Sequence, residues 1–178
     1  MDEQSPKITI RAETKEDYLR ITEINDLAFG QPNEGKLVEK LRLTERFIPE
    51  LSLVAEIEGV VVGHILLYPI TIRSGKVQHD TLSLGPMSVM PNFQRSGIGS
   101  IMVIRGLQTA KALGHESVIV IGHPDYYPRF GFKRTVGWGI RSPFDVPDEA
   151  FMALELKPNA LRDKSGIVQY PKTFEDAV

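Results

Sequence analysis

At 178 residues, 42% of them hydrophobic, the chain can bury a substantial core without staples, and it reads as one domain over residues 1–178. The absence of cysteine excludes a disulfide framework, a thiolate nucleophile and a cysteine-bound zinc, and it fits a reducing cytoplasm. A net charge of −2, with lysine and arginine spread along the chain, argues against direct nucleic-acid binding.

Four scattered histidines, His64, His79, His115 and His123, form no i, i+4 pair, so no metal is expected. The longest apolar run, 60–72, is interrupted by His64 and is too short to span a bilayer. The N-terminal MDEQSPK is polar and acidic, unlike a signal peptide. A soluble cytoplasmic protein with no membrane partner is expected.

Taken in order, residues 7–11 alternate as a strand, and Thr14 caps a helix whose first turn is acidic. Ile21, Ile24, Leu27 and Ala28 are its expected apolar face. After a break over 30–35, Leu37, Val38 and Leu41 mark a shorter amphipathic helix, and such a helix pair beside a sheet can line an acceptor pocket. Residues 51–58, 60–72 and 78–90 read as three antiparallel strands joined by turns at Glu58-Gly59 and Ser74-Gly75-Lys76. The middle strand is apolar on both faces, so helices should cover both sides. Gly85-Pro86 should distort the third strand, because proline cannot donate to a ladder and glycine tolerates bulge geometry.

Residues 98–113 are helical in pattern, with Met102, Val103, Gly106, Ala110 and Leu113 on one side and Gly114 as the stop. The continuous run Ser117-Val118-Ile119-Val120-Ile121 predicts a buried parallel strand, completing a strand-helix-strand crossover. Ligands of such units sit at the carboxyl ends of the strands, here Met90 and Ile121. Further strands are expected after Phe132 and at 151–156. The core then spans about 7–156, and the C-terminal extension 157–178 can be ordered only by its apolar residues.

Between strand and helix lies Gln94-Arg95-Ser96-Gly97-Ile98-Gly99. Amides at a helix N-terminus point one way and carry the positive end of the helix dipole; Gly97 and Gly99 allow close approach, and Arg95 offers a guanidinium. The expected ligand is an anionic, pyrophosphate-bearing cofactor. A Walker loop is excluded because no lysine follows Gly99, and a dinucleotide fingerprint because Met102 stands where a third small residue is needed.

This hexapeptide resembles the Gln/Arg-x-x-Gly-x-Gly/Ala signature of GNAT-superfamily N-acetyltransferases. Leu84-Gly85-Pro86-Met87-Ser88-Val89 is similar to that family's central strand, and Tyr126-Tyr127-Pro128-Arg129-Phe130-Gly131-Phe132 to its aromatic-x-x-x-Gly-Phe segment. The resemblance implies a mixed α/β fold with a predominantly antiparallel sheet, helices on both faces and a central crossover. It implies acetyl-CoA as co-substrate, with contacts from Met87, Ser88 and Val89, the backbones of Met87 and Val89 pairing with the pantetheine arm, and from Gln94, Arg95, Ser96, Gly97, Ile98, Gly99 and Ser100 around the pyrophosphate. The short Gly122-His123-Pro124-Asp125 departs from many members, in which an asparagine and a longer helix precede the tyrosine.

By its place in the motif, Tyr127 matches the family's general acid, with Tyr126 more a wall. For the base, Glu34 and His123 are both candidates. His64, between Val62 and Leu66, reads as a hydrogen-bonded core histidine, whereas His79, Asp80 and His115 read as surface. The expected activity is direct transfer of acetyl to a primary amine of a small molecule, protein or peptide. A different acyl-CoA, a non-catalytic CoA-binding sensor or interaction module of the same fold, and a homodimer are left open.

Overall fold

The computed structural model describes residues 5–178; the first four residues of MDEQSPK, on which the reading against a signal peptide partly rests, lie outside them. Two compact units organise the chain, one comprising residues up to Leu66 with Pro86–Gly106, the other Leu67–Gly85 with Leu107–Val178.

The first unit holds β1 (Ile8–Ala12), α1 (Tyr18–Phe29), α2 (Asn33–Arg42) and β2 (Ser52–Ile57), with the start of β3 (Val60–Ser74), the end of β4 (Val77–Val89) and most of α3 (Ile98–Ala112). β1 pairs with β2 and β2 with β3, both antiparallel, with a register shift between Ala55 and Glu56. The cap expected at Thr14 forms: Asp17 accepts from the Thr14 N–H (2.8 Å) and also takes both outer nitrogens of Arg11 (2.7 and 3.0 Å). That fork holds the Asp17 carboxyl below its usual range. Leu37, Val38 and Leu41 of α2 are buried as expected.

On α1 the stripe differs from expectation. Leu27 is 50% exposed while Asn25 is fully buried with Ile21 and Ile24. At ~3.6 residues per turn, 21, 24, 25 and 28 share a face and position 27 falls about 120° away, so helical geometry overrode side-chain polarity. Asn25 Nδ2 donates to the Ile21 carbonyl (2.9 Å). His64 is the core histidine expected: it is fully buried, with Nε2 2.9 Å from Ser52 Oγ. Glu13 Oε2 lies 3.7 Å from that nitrogen, and its carboxylate is forked by Arg42 (2.7 and 3.0 Å), whose guanidinium stacks on Tyr18 (3.8 Å). Burial lowers the His64 pKa to about 3, with the Arg42 charge a lesser cause.

The second unit continues β3 and contains the start of β4, then β5 (Ser117–Ile121), β6 (Lys133–Arg134), β7 (Ile140–Arg141), β8 (Phe151–Glu155) and β9 (Gly166–Gln169). β5 runs parallel to β4 through Leu82–Leu84 against Val118–Val120, and β8 pairs antiparallel with both β5 and β6. β9 bridges β3 (antiparallel) and β7 (parallel). The tail is therefore ordered by its apolar residues: Leu161 and Val168 are fully buried, and Phe174 stacks on Tyr68 (6.0 Å) and Tyr170 (5.2 Å).

On α3, Met102, Val103 and Ala110 are buried as expected, but Leu113 is 47% exposed. The helix ends at Ala112, and Gly114, at φ 90°, turns the chain away before the next position of the stripe can pack. His115, expected at the surface, is half-buried, as is His79, while Asp80 is exposed. The fold is mixed α/β with a mostly antiparallel sheet, as expected.

Candidate active site

The approach to α3 is built from local constraints. Pro91–Phe93 form a 3-10 turn, Gln94 Nε2 ties back to the Val89 carbonyl (3.0 Å), and Ser96 Oγ donates to the Phe93 carbonyl. Arg95 and Gly97 both have positive φ, 59° and 87°. The left-handed region is unfavourable for arginine, and such outliers gather at ligand-binding turns. A Cβ on Gly97 would meet nothing within 4 Å, so the space over its Cα is open. Ile101 N–H is bonded to the Gly97 carbonyl (3.1 Å). The amides of Ile98 and Gly99 before it lie in the first turn, where an α-helix supplies no acceptor. Gly97 through Ser100 thus occupy the helix start, in the geometry that favours an anion. Gln94, by contrast, spends its side-chain amide on the loop itself, a positioning contact the sequence did not disclose.

Upstream in the same unit, Ser88 is buried while Met87 and Val89 are half-buried, the alternation of a strand. Packing is tight at this point: a Cβ on Gly63 would stand 3.0 Å from Met102 Cε and 3.3 Å from the Ser88 carbonyl. Gly85 carries φ 143°, a conformation that L side chains rarely adopt, so the expected distortion is present. The β4 pairing with β5 ends at Leu84, one residue earlier.

Glu34 also belongs to this unit. It lies in the first turn of α2 and is 6% exposed; Oε1 accepts from Gln31 Nε2 (2.9 Å), while the buried Oε2 has no hydrogen-bond partner. Asn25 Oδ1 and Asp26 Oδ1 on α1 are likewise buried acceptors without partners, and a Cβ on Gly35 would stand 2.6 Å from Asp26 Oδ1. Three unsatisfied acceptors on one helix pair are unusual, since buried polar groups are normally bonded. Asn25 and Asp26 escaped the sequence reading; the available signal was the position of Asn25, one turn after Ile21 on the apolar stripe.

Tyr127 and His123 belong to the other unit. Tyr127 is 7% exposed, edge-on to Tyr126 (5.0 Å, 89°) and Phe132 (5.6 Å, 77°). Its ring lies on Gly122, where a Cβ would come within 2.2 Å of Cε2, so the glycine just after β5 makes room for the phenol. Burial, then the adjacent Tyr126, pushes the Tyr127 hydroxyl well above the ordinary phenol range. The hydroxyl is therefore protonated at neutral pH. His123 is exposed, and its carbonyl accepts from the amides of Tyr126 (3.1 Å) and Tyr127 (3.4 Å). In place of the longer helix common before this tyrosine, the chain makes this turn and then a 3-10 segment, Tyr127–Phe130. Among the described residues, no group of three or more histidines and carboxylates could hold a metal, and no helix is long and apolar enough to cross a membrane.

Comparison with known proteins identifies the family. A family model described as the acetyltransferase (GNAT) domain matches residues 9–135. The Escherichia coli K12 protein YjhQ, described as an uncharacterized N-acetyltransferase, is 36% identical over 143 residues, covering 79% of this chain and 78% of its own. The crystal structure of the E. coli GNAT N-acetyltransferase YhbS in complex with CoA superposes with TM-score 0.90 at 26% identity, covering 98% of this chain and 96% of that one. A GNAT acetyltransferase from Brucella melitensis in complex with acetyl-CoA gives TM-score 0.78 at 31% identity, covering 96% and 99%. The chain belongs to the GNAT family of acetyltransferases.

Proposed function

We propose that this chain, acting as a single acetyltransferase domain, transfers the acetyl group of acetyl-CoA directly to a primary amine, without a covalent enzyme intermediate. The observation that carries the reading is the start of α3, where two positive-φ residues and first-turn amides offer donors and open space to a diphosphate. The CoA and acetyl-CoA complexes of the relatives support the same ligand. Acetyl-CoA supplies the thioester carbonyl. Met87 and Val89 hold the pantetheine arm by backbone pairing, supported by the end of the β4–β5 ladder at Leu84 and the break at Gly85.

The amine must lose a proton and the departing thiolate must gain one. Tyr127 donates the second, because a buried, protonated phenol is a donor at neutral pH. Glu34 receives the first, directly or through water, because its Oε2 is a buried acceptor with no partner. His123 is the second candidate base; its side chain is exposed, so Glu34 is preferred. Mass detection of acetylated product across a panel of small amines, peptides and proteins, beside CoA release without acceptor, tests the activity. N-acetylated product supports it, and thioester hydrolysis alone, or binding without turnover, contradicts it.

A further inference from the structure

The second unit carries a cavity of about 320 Å³, lined by Arg73, Ser74 and Gly75, by Gly139 and Arg141, and by Ser165, Gly166 and Ile167. None of these residues belongs to the cofactor loop or to the catalytic candidates. Strand register explains how the arginines come together. Arg73 on β3 and Arg141 on β7 are both opposite Ile167 on β9. Residues directly opposite on neighbouring strands point to the same face, so the two guanidinium stems rise on one side, two strand spacings or about 9–10 Å apart.

The floor between them is fixed by glycine. Gly166 has φ 154°, and a Cβ there would lie 2.0 Å from the Arg73 carbonyl oxygen, so only glycine lets β9 approach β3 at this point. Its N–H is bonded to the Gly139 carbonyl (3.1 Å), and Ser74 Oγ donates to the Ser165 carbonyl, tying the three strands together. No carboxylate lines the cavity, and among the described residues neither arginine has an ion pair. Both arginines are exposed, and two positive charges rising on one face give the cleft a local potential that attracts an anion.

We propose that this cavity is a binding site for a phosphoryl-bearing small molecule, its anionic oxygens bracketed by Arg73 and Arg141 and its near edge resting on the Ser165–Gly166 backbone. Guanidinium forks match phosphate oxygens two at a time, and at Gly75, where a Cβ would meet nothing within 4 Å, the main chain is open to an oxygen-rich head.

The probe is inorganic pyrophosphate, titrated into isotope-labelled protein kept saturated with CoA so that the start of α3 is already blocked. Saturable shifts of the Gly75, Gly139 and Gly166 amides are expected. Arg73→Gln and Arg141→Gln should each weaken that binding by about tenfold or more while CoA affinity stays unchanged, and Arg73→Lys should give an intermediate loss. The three amides report on this site whether or not CoA binds, so failure of the cofactor assignment would not be mistaken for failure here. Absence of saturable shifts, equal pyrophosphate affinity in the glutamine variants, or tighter binding of hexaglutamate than of pyrophosphate would each overturn the proposal.

Discussion

The proposed mechanism gives Tyr127 a chemical role beside its packing role. Its ring fills the space left by Gly122 and packs on Tyr126 and Phe132, while its hydroxyl is held protonated by burial. Tyr127→Phe keeps the ring and removes the proton, so it separates the two. With an acceptor in hand, turnover should fall by about 10²–10⁴, the usual cost of a lost general acid, with KM for acetyl-CoA little changed. Tyr126→Phe should be mild, because Tyr126 is a half-exposed wall stacked under Arg129 (4.5 Å). Steady-state kinetics of both variants decide the matter; a silent Tyr127→Phe beside an impaired Tyr126→Phe would move the acid by one residue.

At the scale of elements, the proposed pantetheine contact lies at the end of β4. If Met87 and Val89 pair with pantetheine through their backbones, Val89→Pro, which deletes an N–H, should weaken CoA binding far more than Val89→Ala, which trims a half-buried side chain. Equal affinity in the two folded variants would count against strand-like pairing. Much of this architecture was legible beforehand, because its signals are local: the caps, the hairpin turns, the continuous apolar run of β5 and the glycine spacing before α3 depend on neighbours in sequence. Glu34 was legible as a candidate for the same reason, but its unsatisfied Oε2 was not, since burial depends on how α1 meets α2. Leu27 and Leu113 misled because hydrophobicity was weighed above helical phase in one case and above helix length in the other. The place of 157–178 in the core was hidden because β9 pairs with β3, about a hundred residues earlier, and nothing local records that register.

For the molecule as a whole, the buried His64 network ties stability to pH. Its imidazole has a pKa of about 3 when folded against an ordinary value of 6.5, so the unfolded chain binds the extra proton. Stability is therefore full above about pH 6.5 and declines as pH falls toward 3, with a slope of up to ~1.4 kcal/mol per pH unit. Burial also lowers the His115 pKa, which adds in the same direction. The Asp17 carboxyl, depressed by Arg11, joins only below its ordinary value of 3.8. Urea midpoints measured from pH 7.5 to 5.0 should be level at first and then fall below about 6.5; midpoints unchanged across that range would show that His64 is not held neutral by the fold.

The central claim, that α3 begins as a diphosphate cradle serving acyl transfer, is tested most directly by calorimetric titration of CoA into wild-type protein and Gly97→Glu. At φ 87° with open space above it, Gly97 is where an added carboxylate would both block close approach and repel the phosphates. A side chain at φ 87° is strained, but the site is exposed, so the urea midpoint should fall only modestly and folding should survive. CoA binding by the wild type that is lost in the folded variant is the predicted result, and undiminished CoA affinity in folded Gly97→Glu would contradict it.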